Sequence, residues 1–190
     1  MLKRAIIQDG QFQTREAEDD LYIDGYFAVF GAKYWLWDTA YETIDRSAFD
    51  LERDTDVRAL VNHDTTLVLG RTTAGTLTLS VDDIGLRGTI KINRNDQDAV
   101  NLYERVKRGD VSQCSFGFEI LEQEINEASG MPTEWRLKSV KLYEVSACTF
   151  PAYEDTEINA RKAELDDINR RKMEVWRESM RNRLRGGKEC

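Results

Sequence analysis

Two alternating stretches, Thr76-Leu77-Thr78-Leu79-Ser80-Val81 and Gly85-Leu86-Arg87-Gly88-Thr89-Ile90-Lys91-Ile92, are joined through Asp82-Asp83. Apolar residues fall on alternate positions in both, the period of a strand with one buried face, so the pair reads as a hairpin. Upstream, Leu21-Tyr22-Ile23-Asp24-Gly25-Tyr26-Phe27-Ala28-Val29-Phe30 is aromatic and β-branched, ends at Gly31, and reads as a further strand. A short helical turn is expected over Ile44 to Leu51, with Asp45 or Ser47 as its cap. Val57-Arg58-Ala59-Leu60-Val61 reads as a short strand running into Asn62-His63-Asp64, and Leu67-Val68-Leu69-Gly70-Arg71 follows.

Downstream of the hairpin the period changes. Gln97 to Lys107 reads as a helix that Asn95 or Asp96 can cap, with Val100, Tyr103 and Val106 as its apolar stripe and Gly109-Asp110 as its stop. Two more strands are expected, Cys114 to Leu121 and Leu137 to Thr149, separated by a polar loop around Glu127-Ala128-Ser129-Gly130, and Pro151 ends the second. From Asp155 to Arg185 the chain reads as a charged helix with a thin stripe at Leu165, Ile168, Trp176, Met180 and Leu184, broken by Lys172. The fold class expected is mainly β with α (α+β): a closed or nearly closed antiparallel β-barrel with packed helices over residues 1–156, then a charged helical tail over 157–190.

The 190 residues, 41% hydrophobic and 33% charged, suit one globular domain with an appendage. A chain of this length buries about 70% of its unfolded surface. Cys114, Cys148 and Cys190 form an odd, sparse set without CxxC spacing, which argues against a disulfide scaffold and a zinc ribbon. No run approaches the roughly 20 apolar residues of a bilayer-spanning helix. The start, Met1 to Ile7, loses its apolar character at Gln8-Asp9, too soon for a signal peptide. A reduced, soluble, intracellular protein with no membrane partner is expected. The net charge of −8 is uneven: residues 161–190 hold 10 Lys/Arg against 6 Asp/Glu, leaving 17 against 29 in the first 160. An acidic body does not attract phosphate backbones, so nucleic acid is not an expected partner. The basic end (Arg181, Arg183, Arg185, Lys188) reads first as a solvated helix terminus and second as a docking point for an acidic partner.

The chain has one histidine, His63. It is the only imidazole available as a general base, and it excludes a multi-histidine metal site; its plain reading is a hydrogen-bonded loop histidine. A mixed site from His63, Cys114 and Cys148 lacks ligand-pair spacing. Ser115 opens an aromatic strand, with Gly117 two residues on, where a glycine lets another backbone approach closely or marks a bulge. Cys114 is a rival nucleophile, but alternation points it to the face opposite Ser115. Ser112 lies in the preceding loop. Glu144, in Leu142-Tyr143-Glu144-Val145-Ser146, is either an outward-facing strand carboxylate or an acid able to orient an imidazole. From spacing alone each of these residues keeps its plain structural reading.

Several blocks in order carry more. They are Gly25-Tyr26-Phe27-Ala28-Val29-Phe30; Val57 to Asp64 with Leu69-Gly70-Arg71; Gly85-Leu86; Leu102-Tyr103; Arg108-Gly109-Asp110-Val111-Ser112-Gln113-Cys114-Ser115-Phe116-Gly117-Phe118; and Leu142 to Ser146 with Thr149-Phe150-Pro151-Ala152-Tyr153 and Thr156. Over roughly residues 20–160 this pattern resembles the prohead protease family of tailed phages, related in fold to the herpesvirus maturation proteases (assemblins). The resemblance implies an assemblin-like barrel and a serine endopeptidase of capsid maturation. It makes His63 the general base and Ser115 the nucleophile. Assemblins use a second histidine as third member; this chain has none, so the resemblance points to Glu144, with Asp64 as the alternative. It implies no cofactor and no metal. Its expected substrates are the scaffolding segment of the major capsid protein, or a separate scaffold protein, and the protease's own chain, inside the immature capsid in the host cytoplasm. Assemblins dimerise, so a homodimer is a further expectation. Two other classes stand beside this one: a catalytically inactive capsid-assembly or scaffold-binding protein, and a metal- or thiol-dependent hydrolase using Cys114.

Overall fold

The computed structural model describes residues 4–17, 20–128, 130–149 and 155–186. The chain divides into two compact units, Met1–Ala152 and Tyr153–Cys190. The first contains eleven strands and one α-helix among its described residues: β1 (Arg4–Asp9), β2 (Gln13–Ala17), β3 (Asp20–Val29), β4 (Tyr34–Trp37), β5 (Ala40–Ile44), β6 (Arg58–Val61), β7 (Asp64–Arg71), β8 (Leu77–Val81), β9 (Gly85–Ile92), α1 (Gln97–Arg108), β10 (Gln113–Asn126) and β11 (Thr133–Cys148). The second is a single 32-residue helix, α2 (Asp155–Gly186), on which Met173, Val175, Trp176 and Met180 are exposed. Pro151, expected to end a strand, lies outside the described residues.

The hairpin that opens the sequence reading is β8–β9, paired from Leu77↔Ile90 to Val81↔Leu86. It continues into a four-stranded antiparallel sheet, β2-β3-β9-β8. The approach of β3 to β9 is so close that a Cβ on Gly85 would stand 1.8 Å from the Ala28 carbonyl oxygen, so only glycine fits there. The other sheet has seven strands, in the order β1-β10-β11-β5-β4, with β6 also pairing β11 and β7 pairing β6. One buried cluster unites the two sheets: Ile23, Phe27, Leu86 and Ile90 from the smaller, Phe116, Phe118, Val140 and Val145 from the larger. Helix α1 adds Ala99, Leu102, Tyr103 and Val106. Asp96 caps this helix by accepting the N–H groups of Asp98 and Ala99, and Gly109 ends it at φ +83°.

The expected barrel is not formed. The described strands make two open sheets rather than one closed one, and the larger is mixed, because β11 runs parallel to both β5 and β6. At 16 residues, β11 is long enough to pair with β5 over Thr133–Leu137 and then with β6 over Glu144–Ala147. Parallel neighbours need long crossovers, which the chain between these elements supplies. Alternation in a sequence reveals which face of a strand is buried but neither its partner nor its direction, which is why the closure was misjudged.

The turn expected within Ile44 to Leu51 is a single turn and not a helix: the Ala48 N–H donates to Asp45 O (3.0 Å) and the Ser47 N–H to Asp45 Oδ1 (3.0 Å). That segment also fills the gap between β5 and β6 along β11: Asp45 N–H donates to Leu137 O (2.9 Å), and Val140 N–H donates to Ala48 O (2.9 Å) at an isolated parallel bridge between Phe49 and Val140. Asp54 acts there as a substitute strand. Its carboxylate, 1% exposed, accepts the Leu142 N–H at 2.9 Å and a bidentate pair from Arg53, which also reaches the Val140 carbonyl. Asp54→Ala leaves the Leu142 N–H without its acceptor and the Arg53 guanidinium without its carboxylate. The expected loss is about 3 kcal/mol in denaturant unfolding, and a change below about 1 kcal/mol would refute this role.

Candidate active site

Three neighbouring strands of the larger sheet converge on one face. Val61 and Asp64 pair across the β6–β7 hairpin, which makes Asn62 and His63 its two central residues, both at positive φ (+50° and +60°). Two such residues in succession are the mark of a tight hairpin turn; Asn tolerates this backbone readily, whereas an imidazole-bearing residue there is strained. The turn is held by β11 and the residue after it: Asn62 N–H donates to Ala147 O (3.0 Å) and its Oδ1 accepts from Thr149 N–H (2.9 Å). Asp64 turns away along the start of β7, where its Oδ1 accepts from the N–H and hydroxyl of Thr66 at 2.8 and 2.6 Å. The neighbouring acid is therefore occupied elsewhere.

So fixed, the imidazole lies over β11, with Nδ1 2.6 Å from Glu144 Oε1. The pair is largely buried, with 26% and 10% of the two side chains exposed. Space for the carboxylate comes from β10. Gly117 is opposite Glu144 in the register, and a Cβ there would stand 2.3 Å from Oε1. The close approach that the sequence suggested at Gly117 is thus made by the Glu144 side chain. The pairing also slips between Gly117 and Phe118, so that Tyr143 is the extra residue of a bulge next to Glu144.

Ser115 lies on the same face. Its cross-strand partner is Ser146, and directly opposed residues of an antiparallel pair carry their Cβ atoms roughly 5 Å apart on one side of the sheet. Ser146 touches the same pair: its hydroxyl donates to Glu144 Oε2 (2.6 Å), accepts from the His63 backbone N–H (3.2 Å) and stands 3.5 Å from Nδ1. Ser115 Oγ is fully buried and has no hydrogen-bond partner, and Gln113 Oε1, two residues back on the same face, shares that condition. Buried hydroxyls in folded proteins are nearly always paired, so an orphaned one beside a histidine–carboxylate pair needs an explanation in chemistry. The structure thus joins His63 to Glu144 and sets Ser115 one strand across, without a hydrogen bond between Ser115 and the ring.

The rival residues are elsewhere. Cys114 occupies the opposite face, in the core, with its thiol directed to Tyr26 O at 2.9 Å. Ser112 precedes β10, and its carbonyl accepts the Gly10 N–H. Cys148, which the sequence reading placed only in a mixed metal site, has its sulfur 4.0 Å from His63 Nε2. No group of three or more His, Cys, Asp or Glu side chains able to hold a metal ion occurs among the described residues. Ser146 was missed in the sequence, although Glu144-x-Ser146-x-Cys148 has the two-residue period that puts all three on one face.

Burial works against a charge on His63, yet the Cys148 sulfur and the Glu144 carboxylate outweigh it and raise its pKa from 6.5 to about 10. Because that lies above the unfolded value, the bound proton stabilises the fold fully below about pH 6.5, and the contribution is lost as the pH rises through about 10. Glu144→Gln should lower the His63 pKa by about two units or more, read by NMR on the chain's single imidazole. Its stability deficit against the wild type should be larger near pH 6 than near pH 10. Gly117→Ala, which forces the carboxylate off Nδ1, should give the same fall in pKa with the sheet intact. An unmoved titration in both variants would contradict the pairing.

A family model described as caudovirus prohead serine protease matches residues 10–171. No curated protein matches the chain. Among solved structures it is similar to the bacteriophage T4 capsid assembly protease, gp21, at 10% identity and a TM-score of 0.45, over 78% of this chain and 99% of that one. With the family model spanning most of its length, the chain belongs to the caudovirus prohead serine proteases, enzymes of phage capsid maturation.

Proposed function

We propose that this protease acts through Ser115 as nucleophile, His63 as general base and Glu144 as the acid that orients the imidazole, within a proteolytic unit of residues 1–156. Ser115 Oγ attacks the carbonyl carbon of the scissile peptide while its proton passes to His63. Glu144 stabilises the imidazolium so formed, and that proton then goes to the departing amine. Water hydrolyses the acyl-serine by the same base. The observation that carries this reading is the buried, unpartnered Ser115 Oγ, one strand from the 2.6 Å His63–Glu144 contact. It has no competing hydrogen bond to give up before it engages the ring.

The substrates in this reading are the scaffolding segment of the major capsid protein, or a separate scaffold protein, together with the protease itself, inside the prohead. Confinement in a shell raises the effective concentration of enzyme and cleavage sites, so modest affinity suffices. The helix carrying the excess of Lys/Arg from residue 161 onward is the element proposed to dock to scaffold.

Purified wild-type protein, Ser115→Ala and His63→Ala should be incubated alone and with scaffold-bearing capsid protein, and followed by intact mass. Cleavage is expected in the wild type and should fall by about 1000-fold or more in both variants. A serine-directed phosphonate should label Ser115, and Cys114→Ala should cleave normally. Cleavage that survives Ser115→Ala would move the nucleophile elsewhere. Because the base must be neutral, the rate should climb with pH above neutrality, the limb following the His63 titration. A chain lacking residues 161–190 should enter procapsids poorly; unchanged packaging would remove the tail from the docking role.

A further inference from the structure

We propose that Ser146 is a positioning residue that ties the orienting acid to the base, an inference that rests on the roles given above to His63 and Glu144. A carboxylate on a two-carbon arm rotates about its terminal bond, and a short contact through one oxygen does not hold it. Ser146 supplies the second point. Its hydroxyl proton goes to Glu144 Oε2 (2.6 Å), which leaves Oε1 facing Nδ1 (2.6 Å). Its lone pair accepts the His63 main-chain N–H at 3.2 Å, an amide that the left-handed turn directs at β11. One oxygen, wholly buried, therefore fixes the carboxylate's rotation and the backbone that carries the imidazole. Such a network has no slack, because each buried polar group in it uses a partner that another cannot replace.

The placement serves the proposed nucleophile as well. Ser146 is the cross-strand neighbour of Ser115, yet its hydroxyl is committed to Glu144 and to the His63 amide. Of the two serines paired across β10 and β11, one is held by the acid and the other is unpartnered. Ser146 is thus the element that orders Glu144 and His63, while Ser115 stays available for reaction.

The test compares wild type, Ser146→Ala and Ser146→Cys, with Ser115→Ala and Glu144→Gln as references. Cysteine nearly preserves the serine's volume but is a weak donor, so it answers the question even if alanine disturbs the packing. Both Ser146 variants should lower the His63 pKa measured by NMR by about one unit, less than Glu144→Gln does. The rising limb of the rate profile should shift by the same amount. The turnover number should drop about tenfold or more with little change in KM, since the loss is in the alignment of the acid and base and not in substrate contact. An unmoved titration and an unmoved pH profile in both Ser146 variants would overturn the positioning role while leaving the triad reading intact. If Ser115→Ala retains the wild-type rate, the triad reading itself is what fails.

Discussion

The antiparallel pairing of β10 with β11 is the constraint on which the site depends. Its register alone places Ser115 opposite Ser146 and Gly117 opposite Glu144. A slip of one residue would turn one strand's set to the opposite face and part Ser115 and Gly117 from Ser146 and Glu144. The register is held from both sides. On one face, the aromatic and aliphatic side chains of Phe116, Phe118 and Val145 are anchored in the cluster shared with the smaller sheet. Along the edge of β11 beside the bulge at Tyr143, Asp54 supplies an acceptor for the Leu142 N–H.

Electrostatics at the site follows from that packing. Glu144 is brought into contact with His63 because β6 runs parallel to β11 and turns back immediately beyond it. Burial alone would strip the imidazole of its proton, and the adjacent carboxylate with the Cys148 sulfur reverses the sign. The result is an imidazole whose surroundings favour its protonated form. The same carboxylate that holds a proton on the ring of the free protein would, in the proposed mechanism, stabilise the imidazolium formed during reaction.

Much of this was legible in the sequence, for physical reasons that differ from place to place. The β8–β9 hairpin and the helix ending at Gly109 were readable because each is set by local periodicity and by its own turn or cap residues. The stripe of α1 was read at Val100, which is only partly buried, while Ala99 and Leu102 face the core beside Tyr103 and Val106. The short strands β2, β4 and β5 gave no such signal, since ladders of four or five residues are too brief to show a clear alternation. Asp54 looked like one more surface acid; nothing local says that it would be buried as a substitute for a missing strand. At the site, His63 stood out by being alone, and Ser115 and Glu144 by the blocks around them. Ser146 did not, because its importance lies in a partner 83 residues away.

That separation has a kinetic meaning. His63 and Glu144 are 81 positions apart and meet only through parallel strand pairing, the slowest kind of contact for a chain to find. A chain in which β6 has not yet paired with β11 therefore lacks the His63–Glu144 contact. On the roles proposed for His63 and Glu144, topology itself then acts as a delay, because the oriented imidazole exists only once this ladder has formed.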